Sequence, residues 1–125
     1  MPTVTWLDKP EGHDFPAAAD YLGMLTDPAT VNALTDRLHT ASVEHKKAKD
    51  ILRAARLPLL PTDNAHVVAD RTKIKKGQPL SPILLVRGDL EKGLALQIAD
   101  GYHRVCASYY TDENTDIPVF MADMP

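Results

Sequence analysis

The sequence predicts an α+β domain, and three observations carry that prediction. Short apolar runs at residues 83–87, 94–99 and 117–121 are bounded by turn-forming residues, as strands are. Residues 29–56 contain no glycine or proline and repeat apolar side chains every three or four positions, as a helix does. Two shorter segments carry helix punctuation, 65–76 ended by Gly77 and 102–110 opened by Gly101. The 125 residues, 44% hydrophobic and 25% charged, fit one globular domain. A chain of that length buries roughly two-thirds of its unfolded surface.

In chain order, residues 1–16 hold the breakers Pro2, Pro10, Gly12 and Pro16 and no periodicity. Trp6, Leu7 and Phe15 are expected to pin this arm onto the body. Residues 17–25 read as a short helix. Thr26-Asp27-Pro28 is a helix start, a capping side chain followed by proline at the first position. The stripe Val31, Leu34, Leu38, Ala41, His45, Ala48, Leu52, Ala55 then predicts one long helix of about 28 residues, roughly 42 Å. His45 is its one polar member, either a hydrogen-bonded interface residue or a ligand. Lys46, Lys47, Lys49, Arg53 and Arg56 gather near the C-terminal end, where cations suit the helix dipole.

Pro58 and Pro61 make residues 57–61 an extended link or an edge strand. Thr62-Asp63-Asn64 offers caps for the helix 65–76, with Val67, Val68 and Ile74 inward and Arg71, Lys73, Lys75 and Lys76 outward. Strand 83–87, a charged loop 88–93, strand 94–99, helix 102–110, an acidic loop 111–116 and strand 117–121 complete the chain. Residues 1–61 form an arm and long helix packed on a core of residues 62–125, one compact domain in all.

The strand-to-helix turn Asp100-Gly101-Tyr102-His103-Arg104 carries the chemistry. A glycine there lets the backbone turn in a way closed to other residues and leaves room for a ligand. The first turn of a helix has unpaired N–H groups and a partial positive charge, and His103 and Arg104 add side-chain donors. That set suits a phosphate. The alternative is an ordinary turn, with Arg104 paired to an acidic surface residue.

The segment 64–122 resembles the ParB/sulfiredoxin superfamily. The resemblance rests on Lys73-Ile74-Lys75-Lys76-Gly77, Ser81-Pro82-Ile83-Leu84-Leu85-Val86, Ile98-Ala99-Asp100-Gly101-Tyr102-His103-Arg104, Val105-Cys106-Ala107-Ser108-Tyr109 and Asp116-Ile117-Pro118-Val119-Phe120, in that order. It implies a small mixed sheet with helices, here preceded by a helical N-terminal extension. It also implies a nucleotide pocket: Asp100 and Gly101 as its floor, Tyr102 in the turn, His103 and Arg104 on phosphate oxygens, and Lys73 or Lys76 from the preceding helix. Asp100 would hold Mg²⁺ beside a nucleotide triphosphate, or act only as a turn or capping carboxylate. The lysines would otherwise form a solvated face. His103 and Asp100 are the catalytic candidates, with His103 as base or phosphate ligand.

Sulfiredoxins place a cysteine directly before the His-Arg pair, where this chain has Tyr102, so sulfinic-acid reduction is not expected. Cys106, the one cysteine, sits within the helix and reads as a buried thiol. The partition branch carries an acidic-Arg-Arg triplet and a following helix-turn-helix domain. This sequence has Tyr102-His103-Arg104 and ends at Pro125, so DNA partitioning is not expected either.

Three functions stay open: a nucleotide- or phosphate-binding protein that hydrolyses or transfers phosphate, a nucleic-acid-binding or nuclease-like protein, and a non-catalytic interaction module. The last would use the long helix for a homodimer or protein partner. Residues 1–36 and 89–125 are acidic and residues 37–88 basic, which suits an anionic partner or solvated faces that neutralise each other on folding. No zinc spacing, signal sequence or membrane-length apolar run is present, and a cytoplasmic location is expected.

Overall fold

In the computed structural model, which describes residues 3–125, the apolar run Ile83–Val86 forms strand β2, buried at all four positions. Such a run needs cover on both sides, and it has it. Ile83 and Leu85 face one cluster of buried residues, Leu84 and Val86 the other. The last strand repeats the alternation, with Ile117 and Val119 on the first side and Phe120 and Ala122 on the second. Successive side chains of a strand point to opposite faces, so the sheet is the middle of three layers.

The elements in chain order are α1 (Asp14–Leu22), α2 (Pro28–Thr40), β1 (Glu44–Lys47), α3 (Ala48–Ala55), α4 (Ala65–Lys75), β2, β3 (Gln97–Asp100), α5 (Tyr102–Thr111) and β4 (Asp116–Ala122). Among the described residues this is a mixed α+β fold of five helices and a four-stranded sheet, ordered β1-β4-β2-β3. The central pair β2 and β4 is parallel, and both outer pairings are antiparallel. Helices α1 and α2 cover one face through Phe15, Leu22, Leu34 and Leu38. Helices α3, α4 and α5 cover the other through Ile51, Leu52, Val67, Ile74 and Val105.

The single long helix expected over residues 28–56 is not formed. Helix α2 ends at Thr40, Ala41 is extended, residues 44–47 pair with β4 as strand β1, and α3 begins at Ala48. The stripe is real, but its halves serve opposite faces. Val31, Leu34 and Leu38 belong to one core cluster, and Ala48, Ile51, Leu52 and Ala55 to the other. An unbroken helix would leave one set in water, at about 1.5–3 kcal/mol for each large side chain. Helix propensity over the intervening residues offers only tenths of a kcal/mol each. Burial wins, and the chain crosses at the sheet edge. His45 lies exposed on β1 rather than in a helical stripe. Lys46 and Lys47 belong to this charged edge strand, a composition that discourages further strand pairing.

Other elements differ by smaller amounts. Helix α1 begins at Asp14, so Pro16 falls inside its first turn, where a missing N–H costs nothing. Pro2 lies outside the described residues. Asp27 caps α2, accepting from the Thr30 N–H at 2.8 Å, and Asn64 caps α4, accepting from the N–H groups of His66 and Val67. Val67 and Ile74 are buried, but Val68 is exposed. Residues 57–61 are extended without joining the sheet. The N-terminal arm is tied down where Leu7 N–H donates to Leu80 O and Leu80 N–H to Thr5 O, each at 2.8 Å.

Candidate functional site

The site grows from the end of β3. Gly101 follows Asp100 with φ +113°, in the left-handed region that favours glycine, and opens α5 as its N-cap. The space its missing side chain leaves is taken by the protein itself. A Cβ there would run into Ile83 Cδ1 and lie 2.7 Å from Arg104 Nη2. Gly101 thus makes room for Arg104, not for a ligand.

Arg104 folds back over this glycine. Its Nη2 donates to Asp100 Oδ2 at 3.0 Å, and Nη1 lies 3.8 Å from Asp14 Oδ1. The Arg104 side chain is 16% exposed and that of Asp14 only 2%. The guanidinium is a clamp between two carboxylates, an ion pair as the alternative for this turn had it, but with one partner buried rather than on the surface. Asp14 is itself held: it accepts from the Ser81 hydroxyl and from the Glu11 N–H, the latter at 3.0 Å, and His13 Nε2 lies 3.3 Å from it.

A polar cavity of about 310 Å³ nevertheless opens in front of the clamp. Helix α4 supplies one wall with His66, Asp70 and Lys73, spaced four and three apart and so on one helix face. Helix α5 supplies His103 and Arg104, with Asp100 and Gly101 below, and the arm adds Glu11 and His13. The first turn of α5, which borders the cavity, has no side-chain cap. The rings of His66 and His103 meet with centroids 4.6 Å apart.

The charge of this cavity is mixed. Three carboxylates (Glu11, Asp70, Asp100) face Lys73 and Arg104, with His13, His66 and His103 among them. Burial pushes the Asp70 carboxyl above its ordinary range, with Arg104, Lys73 and the two histidines pulling the other way. Burial also raises Asp100, opposed by the charge and hydrogen bond of Arg104 and reinforced by neighbouring Asp14. His103 is held below its ordinary value, first by burial and then by His66, so its imidazole is neutral at neutral pH.

Of the residues singled out in the sequence, Asp100, Gly101, His103, Arg104 and Lys73 come together here. Lys76 does not: it is exposed beyond the end of α4 and lines no part of the cavity. Tyr102 turns away, its hydroxyl donating to Pro58 O at 2.5 Å. Cys106 is buried, and burial pushes its thiol up. Among the described residues, no group of three or more His, Cys, Asp or Glu side chains is placed to hold a metal ion. Asp100 is engaged by Arg104, so the donor set does not fit a resident Mg²⁺.

Asp14, Ser81, His66 and Asp70 were not legible as site residues. The four-and-three spacing of His66, Asp70 and Lys73 was the one available signal. No family model, curated protein or solved structure matches this chain. Among the described residues, no helix is long and apolar enough to cross a membrane.

Proposed function

We propose that this protein binds the phosphate group of a nucleotide or other small phosphorylated molecule in the cavity at the start of α5, as a ParB/sulfiredoxin-like protein. One observation carries the reading: Lys73, His103 and the uncapped first turn of α5 border the same polar cavity. The superfamily resemblance supports it through the succession α4, Gly77, β2, β3, the Asp100-to-Arg104 turn, α5 and β4. Ligand pockets usually span about 300–1,000 Å³, so a cavity of about 310 Å³ suits a phosphate end, with any base and sugar outside. Mg²⁺ would arrive on a triphosphate rather than wait in the protein.

Arg104 supports this reading as an anchor for the turn, holding Asp100 and Asp14 so that the amides of α5 are fixed. For hydrolysis or phosphoryl transfer, a neutral His103 is the group able to accept a proton from an attacking hydroxyl or water. Asp100, occupied by Arg104, is a positioning group in that scheme.

The test is thermal unfolding with inorganic phosphate, ADP, ATP, CTP and GTP, with and without Mg²⁺. At least one ligand should raise Tm, by the equivalent of about 2.7 kcal/mol at a hundredfold excess over Kd. Lys73→Ala, which removes an exposed side chain, should abolish most of the shift without lowering the Tm of the free protein. A flat response to all five ligands at millimolar concentration overturns the proposal.

A further inference from the structure

A second feature lies away from this cavity, where the loop between β2 and β3 stands beside α3. Asp89 and Leu94 pair through both backbone hydrogen bonds, at 3.0 and 2.9 Å, and the Asp89 carboxylate accepts from the Lys92 N–H. Arg56 ties the same loop to α3 by donating to Gly93 O at 3.1 Å. At its tip Leu90 is 96% exposed, and Leu94 beside it is 57% exposed. The loop is built to hold its shape, yet it presents a leucine almost wholly to water. A preorganised apolar tip loses little conformational freedom when it is covered.

The tip forms one wall of a groove of about 490 Å³, where Leu90 and Leu94 stand with Ile51, Leu85, Leu96 and Met121. Its rim carries Lys46, Arg53, Arg56 and Arg87 against Asp50 and Asp89. Arg53 and Arg87 pair only with partly exposed acids, Asp50 and Asp123, in contacts that water weakens and a stronger partner can replace. The groove therefore asks for a leucine-sized apolar group flanked by negative charge. The tip has that composition, Leu90 between Asp89 and Glu91.

We infer that this face pairs with a second copy of the chain, the Asp89-Leu90-Glu91 tip of each copy seated in the basic-rimmed groove of the other about a two-fold axis. The complementarity is what makes the surface self-matching: the tip walls the groove of its own chain, so a two-fold axis brings each tip against the other copy's groove at once. It replaces the long helix as the route to a homodimer, since that helix is not formed. The pairing is independent of phosphate binding, because none of these residues borders that cavity.

Sedimentation equilibrium of the full chain from micromolar to millimolar concentration is the test. The average mass should climb from 13.7 kDa towards twice that value, and less steeply at high salt. Leu90→Glu should return the mass to that of one chain with no change in Tm, because the side chain it replaces is exposed. Glu91→Arg should weaken the association, and adding Arg53→Glu should restore it. A mass that stays at one chain throughout, or a dimer that survives Leu90→Glu, overturns the inference. So does binding to anionic lipid vesicles that Leu90→Glu removes while the mass stays at one chain; that result would assign the surface to a membrane.

Discussion

Replacing Arg104 by alanine separates an anchor from a ligand-binding side chain. In the folded protein the guanidinium lies between Asp100, 22% exposed, and Asp14, 2% exposed, donating to the first at 3.0 Å. Removing it leaves two carboxylates facing each other with no cation between them. Breaking a buried pair from one side costs about 3–5 kcal/mol. Partial exposure of Asp100 and the 3.8 Å separation from Asp14 put this case at the lower end, about 3 kcal/mol. Unfolding entropy of about 2.1 cal/mol/K per residue converts that into a fall of roughly 12 °C in Tm. Urea titration followed by circular dichroism measures it directly, with an unchanged m-value showing that the native state is otherwise intact. The loss should shrink under acid conditions, because Asp100, already pushed up by burial, then takes a proton and ends the repulsion. Arg104→Lys should recover only part of the loss, since a single ammonium cannot reproduce the planar fork. A Tm within about 1 °C of wild type for Arg104→Ala at neutral pH would refute the clamp, because even about 0.5 kcal/mol should move it further.

Two more outcomes follow from the same geometry. Asp70 and Asp100 are held above 3.8 in the folded state, so the folded protein binds more protons than the unfolded chain just above that pH, and stability falls as pH rises through that window. His103 is held below 6.5, so the unfolded chain protonates first and stability falls as pH drops through 6.5. Stability against pH should therefore pass through a minimum between these limits, with Asp70→Asn flattening the acid-side limb and His103→Gln the other; chemical denaturation from pH 4 to 8 would show a monotonic curve if the assignment were wrong. Gly101→Ala should cost more than about 2 kcal/mol, from a φ of +113° and collisions with Ile83 and Arg104, and no loss of stability would disprove the close approach.

How far the molecule could be read from its residues depended on the range of the forces involved. Local chemistry was legible. The Asp27 and Asn64 caps, the stop at Gly77 and the strand at Ile83 are set by neighbours within four residues, and each stands where the pattern places it. The break at Ala41 was not legible, because residues 28–56 keep a helical repeat throughout. What decides it is that Leu38 and Ile51 are buried on opposite sides of a sheet whose other strands come from far along the chain. The candidate site divides the same way. Asp100 through Arg104 are contiguous and were visible as a unit, whereas Asp14 and Ser81 meet across 67 positions and carry no local mark. Reading Arg104 as a free donor failed for that reason: one of its two anchors lies in the arm, outside any motif.

Strand β4 touches both halves of the chain, since it lies between β1 and β2 in the sheet. On a ribosome, β1 has no neighbour to bind until residues 116–122 have left the exit tunnel, so residues 44–47 must wait through most of synthesis. The junction around Ala41 is therefore set by the closing strand, which supplies the pairing of β1 in the sheet.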